Sequence, residues 1–247
     1  MPEPPPRQML REAPHLLHPT LWLGHQLGRQ ADSPCASGYA ALDAELPGGG
    51  WPRRVLSELL LRQAGIGEIR LLSPCLTAIQ RSGRLVMLFD PPSALSAWAL
   101  EQLGFDVEAL LVINTRTGDS LWALEQALKS GHVGAVLAWL PPRLRAESLR
   151  RLQLAAHAHD GPAFVLREMA AAERPSAAPL RLALRPGGAD ALSVHLLKRR
   201  GPPLESPLRL ALPPVLSRAE REYAYTAPAR GAAGLPGATF INLSGLR

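Results

Sequence analysis

The segment Gly65-Ile66-Gly67-Glu68-Ile69 has the glycines of a phosphate-binding loop but the wrong charge. A working loop reads G-x-x-x-x-G-K followed by Ser or Thr: backbone N–H groups cradle the phosphates, the lysine neutralises the terminal phosphate and the hydroxyl holds Mg²⁺. In this chain Glu68 stands at the lysine position and Ile69 at the hydroxyl position. A charge pair at about 4 Å is worth roughly 4 kcal/mol at an effective dielectric near 20, so the exchange turns attraction into repulsion. We expect this degenerate loop to exclude phosphate, and we expect no cofactor.

The other residues that could bind phosphate or metal offer no replacement. The two lysines of the chain, Lys129 and Lys198, do not follow a glycine-rich turn. The two cysteines, Cys35 and Cys75, are far apart in sequence and lack both C-x-x-C spacing and a supporting histidine cluster. We therefore expect no second phosphate loop and no metal site, and thiols typical of a reducing compartment.

Length and composition indicate a globular protein. The chain has 247 residues, of which 47% are hydrophobic and 19% charged. Because it has no apolar run of about 18 residues and no basic-then-apolar N-terminus, we expect a cytoplasmic protein without contact to a membrane. The net charge of +6 permits contact with polyanions but does not indicate it.

The elements that would position the loop alternate between strands and helices. Short apolar runs predict buried strands at 55–61, 85–89, 110–113, 133–140 and 163–166. Helical spacing of leucines predicts helices at 68–80, 94–103, 120–130 and 145–158. This order implies right-handed βαβ units, and hence an α/β fold whose central sheet is mostly parallel and flanked by helices.

The ends of the chain follow different patterns. Period-two alternation at 180–185 and 192–197, around a Pro-Gly-Gly turn, predicts a C-terminal antiparallel hairpin at the sheet edge. We divide the chain into an N-terminal arm with a short helix (1–36), a core (37–200) and a Pro/Gly-rich C-terminal tail (201–247).

Several blocks resemble, in order, the core of RecA-type recombinases: SGYAALD at 37–43, GGGWP at 48–52, the strand with the degenerate loop, and LGFDVEALL at 103–111. The blocks at 41–52, 65–68, 122–128 and 196–200 are more closely similar to ImuA, the RecA-like accessory family of bacterial mutagenic translesion synthesis, sometimes labelled SulA-like. The resemblance implies a degenerate RecA-like P-loop core over residues 37–200.

RecA-type catalysis also needs two carboxylates, one at the end of a later strand for Mg²⁺ and one after the second strand to activate water. The first place reads Ala138-Trp139-Leu140, and the residue at the second is Pro92. Asp90 remains, and we interpret it as a cap for the helix that follows. We therefore predict no catalytic residues and no enzymatic activity.

Nucleic-acid binding has a weaker basis. The two loops through which RecA-type cores bind single strands are reduced here to 141–143 and 167–179. Candidate contacts to DNA phosphates are clustered near one helix start, at Arg143, Arg145, Arg150 and Arg151. A solvated helix face is the alternative interpretation, and no aromatic residues lie between these arginines to stack on bases.

Candidate partner-binding residues lie towards both ends of the chain: Trp22, Leu23, Lys198, Arg199, Arg200, Phe240, Ile241 and Leu243. Trp22 and Leu23 could equally belong to the core, and residues 198–200 could be a solvated strand end. The three apolar residues near the C-terminus could belong to a dispensable terminus.

The resemblance implies a non-catalytic adaptor in SOS-induced mutagenic translesion synthesis, cytoplasmic and nucleoid-associated when induced. Its partners would be a Y-family polymerase-like protein and an error-prone replicative-type polymerase, with the RecA filament as a further candidate and DNA bound weakly or indirectly. Two alternatives stay open. One is a SulA-like inhibitor that blocks assembly of the tubulin-like division protein, and the other is a weak DNA-dependent ATPase or recombinase paralogue.

Overall fold

The computed structural model describes residues 33–115, 119–141, 143–188 and 190–215, and the backbone of 239–242. The chain divides after Ser33 into two units, and the second, Pro34–Arg247, contains the architecture described below. The helix expected near residues 19–27 lies outside the described residues.

Strands and helices alternate from Leu56 onward. The strands are β1 (Leu56–Leu61), β2 (Leu85–Phe89), β3 (Leu110–Asn114), β4 (Val133–Trp139), β5 (Ala163–Glu168), β6 (Leu180–Gly188), β7 (Ala191–Lys198), β8 (Leu208–Ala211) and β9 (Thr239–Asn242). The helices are α1 (Ala40–Asp43), α2 (Glu68–Arg81), α3 (Ala97–Gln102), α4 (Ser120–Lys129) and α5 (Ala146–Ala156), with a 3-10 helix at Met169–Glu173. In the described parts of the chain, none of the helices combines the length and apolar character needed to cross a membrane.

The described strands form one sheet of nine, in the order β8-β7-β6-β1-β5-β4-β2-β3-β9. Strands β1 to β6 and β9 run parallel to their neighbours within that group, whereas β7 is antiparallel to β6 and β8 is antiparallel to β7. Parallel neighbours require crossovers, which α2 to α5 and the segments around them supply. The predicted mixed α/β fold, with a mostly parallel sheet and C-terminal antiparallel strands, is confirmed.

The core lies on both faces of this sheet. Helix α2 covers one face with Leu72 and Leu76, while α4 and α5 cover the other with Leu128 and Leu152. Strand β1 is buried along its whole length. Because both faces are covered, the central strands consist largely of apolar residues, which is why the sequence predicted them.

The segment expected to be a tail takes part in the sheet. Strand β8 pairs with β7, and β9 pairs with β3 at the opposite edge. Both strands have only four residues, and both lie among prolines and glycines. Their short patterns could not be distinguished from a tail, because tertiary pairing and not local alternation places them in the sheet.

Candidate functional site

The β1–α2 loop (62–67) connects the carboxyl end of β1 to the first turn of α2. Gly65 has φ +83° and Gly67, the N-cap of α2, has φ +112°, in the left-handed region that glycine adopts without a steric penalty. The Gly65 N–H donates to Oε1 of Glu68 at 2.7 Å, and the Gly67 N–H donates to Oε2 at 3.2 Å. Glu68 is buried, with 3% of its surface exposed. The loop therefore holds a carboxylate of its own chain.

This geometry is that of an anion site with an internal occupant. Backbone N–H groups at the start of a helix bind phosphate or carboxylate because the groups lack intrahelical partners and the helix dipole favours negative charge. Glu68 is the first residue of α2 and supplies that negative charge itself. The sequence predicted repulsion of phosphate, and the structure adds that an incoming phosphate would have to displace the Glu68 carboxylate.

The segment after β8 lies against the same loop. A Cβ on Gly67 would lie 2.5 Å from the Cδ1 atom of Leu212, so the two are closely packed. Arg70, in the first turn of α2, donates from Nε to the Pro213 carbonyl at 2.8 Å and forms a 2.7 Å ion pair with Asp190. A cavity of about 450 Å³ remains beside the loop, lined by Gly65, Ile66, Gly67, Glu68, Ile69, Arg70, Pro186 and Gly188.

Asp90 follows β2 but does not cap the next helix, so that part of the interpretation is wrong. Its carboxylate accepts hydrogen bonds from the Thr115 N–H at 2.6 Å, the Thr115 hydroxyl at 2.7 Å and the Ser120 hydroxyl at 2.5 Å. Ser96 caps α3 instead, accepting from the Ala99 N–H. The physical reason is the sheet: β2 and β3 are neighbours, so Asp90 reaches sideways to the end of β3 and the start of α4.

A second cleft opens at the carboxyl ends of β1, β4 and β5, the edge where open α/β sheets bind ligands. Its volume is about 220 Å³, and Pro92 and Trp139 contribute to its wall. The resemblance to RecA-type cores puts the two expected carboxylates at Pro92 and within residues 138–140. Glu168, at the end of β5, also lines the cleft and is exposed.

A buried ion-pair cluster, which was not among the residues predicted from the sequence, lies beneath this edge. The Glu58 carboxylate is fully buried and accepts from Nη1 of Arg167 at 2.6 Å and from Nε of Arg181 at 2.5 Å. Arg181 also donates to the carbonyl of Ala171 in the 3-10 helix at 2.7 Å. The cluster joins β1, β5, β6 and the 3-10 helix. It also places Arg167, expected at the start of a reduced DNA-binding loop, inside the protein.

The sequence feature that indicated this cluster is a charged residue inside an apolar strand. Glu58 interrupts the run Leu56–Leu61, and its carboxylate would be costly to bury without a partner. The sequence could not name that partner, because Arg167 and Arg181 are 109 and 123 residues away.

The four arginines proposed for DNA contact lie at the start of α5 and along it. Arg143, Arg145, Arg150 and Arg151 are all exposed. Arg151 forms a 2.6 Å ion pair with Glu125 of α4. At least this arginine already has an intramolecular partner, as on a solvated helix face.

The three basic side chains at the end of β7, residues 198–200, differ in their partners and in their exposure. The Lys198 ammonium donates to the Ser176 carbonyl at 2.9 Å. Arg199 forms a 2.6 Å ion pair with Glu45 and its side chain is 11% exposed. Arg200 is exposed, and all three line one cavity of about 560 Å³. Arg199 is therefore a structural residue, and Arg200 is the better candidate for contact with a partner.

The structure says less about the remaining candidate partner-binding residues. The backbones of Phe240 and Ile241 belong to β9, opposite Val112 and Ile113 of β3. Their side chains, together with Trp22, Leu23 and Leu243, lie outside what the structure describes.

Comparison with known proteins finds sequence similarity to two groups, the SulA cell division inhibitors and the RecA proteins. Residues 54–163 match the cell division inhibitor SulA family, a segment that runs from just before β1 to the first residue of β5. The cell division inhibitor SulA of Serratia proteamaculans is 29% identical over 125 residues, covering 50% of this chain and 74% of that protein. The SulA of Serratia marcescens is 28% identical over 114 residues, covering 46% and 67%. Protein RecA of Enterococcus faecalis is 28% identical over 152 residues, covering 51% of this chain and 43% of that protein.

These matches support placing the chain in a RecA/SulA-like superfamily. The matched SulA segment contains the β1–α2 loop, Glu68 and the end of β4. The blocks at 41–52 and 196–200, on which much of the ImuA resemblance rests, lie outside it. The narrower ImuA assignment stays a prediction.

Proposed function

We propose that this RecA/SulA-like protein is a non-catalytic component of the SOS response that acts by binding other proteins. The observation that carries the proposal is the Glu68 carboxylate, held by the N–H groups of Gly65 and Gly67. Phosphoryl transfer requires bound phosphates, a metal and a residue that positions water, all together. Here two N–H groups of the loop have an internal ligand. Neither place where the RecA resemblance puts a carboxylate, residues 138–140 and Pro92, holds one.

The first test concerns nucleotide. We expect ATP with Mg²⁺ to leave the melting temperature unchanged and to undergo no hydrolysis, with or without single-stranded DNA. A RecA protein in the same buffer is the positive control. A micromolar dissociation constant for ATP that is abolished by changing residues 65–69 would refute the proposal and favour the ATPase alternative.

Inhibition of cell division is the candidate that the comparisons favour. The division-inhibitor family matches residues 54–163, which contain the filled loop and strands β1 to β4. On this proposal the protein blocks assembly of the tubulin-like division protein. Overproduction in its host should give filamentous cells, and purified protein should reduce sedimentable polymer of the division protein equally with and without ATP. Normal septation together with unaffected polymer would contradict it.

The translesion adaptor is a second candidate, favoured by one contact. The 2.6 Å ion pair between Arg199 and Glu45 joins the two ImuA-like blocks, 196–200 and 41–52, which are far apart in sequence and outside the SulA match. Within the block at 196–200, Arg200 is exposed. On this proposal, the surface formed by the two blocks is where a polymerase-like partner binds.

The adaptor is tested by recovering the full-length chain from DNA-damaged cells. A Y-family polymerase-like protein and an error-prone replicative-type polymerase should copurify, and deletion of the gene should lower damage-induced mutation frequency. Arg200→Glu should weaken the recovery, whereas Arg185→Glu, at an exposed arginine in β6, serves as the matched control. Unchanged mutation frequency on deletion would exclude this candidate.

A further inference from the structure

The two cysteines of the chain lie in contact although they are 40 residues apart in sequence. Cys35 forms an isolated antiparallel bridge with Trp51, and Cys75 lies in the middle of α2. Both are free thiols, and their Sγ atoms are 2.6 Å apart. We propose that Cys35 and Cys75 form a site of oxidative modification, at which a hydroperoxide converts the two thiols into an intramolecular disulfide.

The two thiols have unequal surroundings, which assigns a role to each. Cys35 is half-buried and Cys75 is fully buried. The hydrogen bond that the Cys75 thiol donates to Cys35 lowers the pKa of Cys35, against the opposing effect of burial, and the Arg53 guanidinium lowers it further. The same hydrogen bond, with burial, raises the pKa of Cys75. Since the thiolate is the nucleophile, Cys35 is the thiol that reacts first and Cys75 the one that resolves the product.

The reaction balances with hydrogen peroxide as the oxidant. The Cys35 thiolate attacks one peroxide oxygen, the O–O bond breaks, and the products are a sulfenic acid on Cys35 and hydroxide, which takes the proton lost from the Cys35 thiol to form water. Cys75 then attacks the Cys35 sulfur. The S–S bond forms as the S–O bond breaks, and the departing hydroxide takes the Cys75 proton to form a second water. In total, two thiols are oxidised by two electrons and one peroxide is reduced to two waters.

Backbone hydrogen bonds and close packing fix the segment around Cys35 next to α2. The Cys35 N–H donates to the Trp51 carbonyl at 2.9 Å, and the Trp51 N–H donates back at 2.7 Å. A Cβ on Gly38 would lie 2.4 Å from the Cβ of Pro74, so the segment after Cys35 is packed closely on α2. A disulfide between these positions would close a loop that contains α1, β1 and the β1–α2 loop, and such a cross-link stabilises by restricting the unfolded chain.

The test uses the reduced full-length protein and one equivalent of hydrogen peroxide. We expect loss of both thiols titratable under denaturing conditions, loss of two hydrogen atoms from the intact mass, a monomer on a non-reducing gel, and one cross-linked peptide containing both cysteines. Dithiothreitol should reverse the changes, and the oxidised form should melt at a higher temperature. Survival of both thiols, addition of oxygen atoms to Cys35 without a disulfide, or a disulfide-linked dimer would each overturn the proposal.

Serine variants separate the two roles. In Cys75→Ser, peroxide should leave a sulfenic acid on Cys35 that dimedone traps. In Cys35→Ser, the buried Cys75 should resist the same dose of peroxide. Oxidation of Cys35→Ser as fast as the wild type would contradict the assignment. If either variant fails to fold, the peptide map of the oxidised wild type decides the proposal, because the chain has no third cysteine.

Discussion

Replacing Glu68 by alanine removes the internal occupant of the β1–α2 loop. The side chain makes two hydrogen bonds to backbone N–H groups, at 2.7 and 3.2 Å. Bonds to charged groups contribute about 1.5–3 kcal/mol each, but the second is long and Gly65 is exposed, so water can replace part of the loss. We therefore expect Glu68→Ala to lower the free energy of unfolding by about 2 kcal/mol. In a domain of this size that corresponds to a decrease of about 4–8 °C in melting temperature.

The control for this variant is Glu125→Ala. Glu125 also makes two contacts, with Lys129 and Arg151, but those partners have side chains that are 50% and 66% exposed. Exposed ion pairs contribute about 0–1 kcal/mol, so this variant should melt close to the wild type. Both proteins are measured by thermal and urea unfolding in one buffer.

The same substitution should create an anion site. With the carboxylate gone, the N–H groups of Gly65 and Gly67 are free to bind inorganic phosphate. A ligand that binds only the folded state stabilises it by about 2.7 kcal/mol at a concentration a hundredfold above its dissociation constant. Phosphate should therefore raise the melting temperature of Glu68→Ala and leave that of the wild type and Glu125→Ala unchanged.

Two results would refute this reasoning. If Glu68→Ala has the same melting temperature as the wild type, the carboxylate does not stabilise the loop. If phosphate stabilises the wild type as much as the variant, the carboxylate does not occupy an anion site.

Three further predictions concern buried or partly buried polar groups. Glu58→Gln, which leaves two buried arginines without their counter-charge, should cost about 3–5 kcal/mol in urea unfolding, whereas Glu125→Gln should cost less than about 1 kcal/mol. Asp90→Asn should cost about 1–3 kcal/mol, because an amide cannot accept all three hydrogen bonds of the carboxylate, and an unchanged urea midpoint would contradict this. Burial, with a smaller effect of a neighbouring guanidinium, lowers the pKa of His159 from 6.5 to about 4. The unfolded chain therefore takes up the proton first as the pH falls, so stability should decrease between about pH 6.5 and pH 4, by at most about 1.4 kcal/mol per pH unit from this residue. His159→Leu should flatten this dependence and His132→Gln, at an exposed histidine, should preserve it.

Much of the fold was predictable because its central strands are buried on both faces. Each predicted strand from 55–61 to 192–197 has a counterpart in the sheet, with ends that differ by a few residues. Strands β8 and β9 were missed because four residues among prolines and glycines carry too little pattern. Strand order was also beyond local pattern, since β1 lies between β5 and β6, which are more than 100 residues later in the chain.

The candidate site was predictable in chemical character and not in arrangement. The sequence showed a carboxylate where a phosphate loop needs an ammonium, and apolar or proline residues where catalysis needs two carboxylates. It did not show that Asp90 would bond to Thr115 and Ser120, because that contact depends on β2 and β3 being neighbours. The ion pair between Arg199 and Glu45 likewise depends on folding, as its residues are 154 positions apart.

By itself, the sequence determined the charge at the loop, the alternation of strands and helices, and the lack of a carboxylate at two defined positions, because residue type and spacing fix each of these. Only the three-dimensional structure showed what Glu68 does. Its carboxylate accepts hydrogen bonds from Gly65 and Gly67 because the two glycines adopt left-handed backbone angles that turn their N–H groups towards the start of α2. The contact of Cys35 with Cys75 was decided in the same way, since only the packing of the segment after residue 34 on α2 brings the two thiols together.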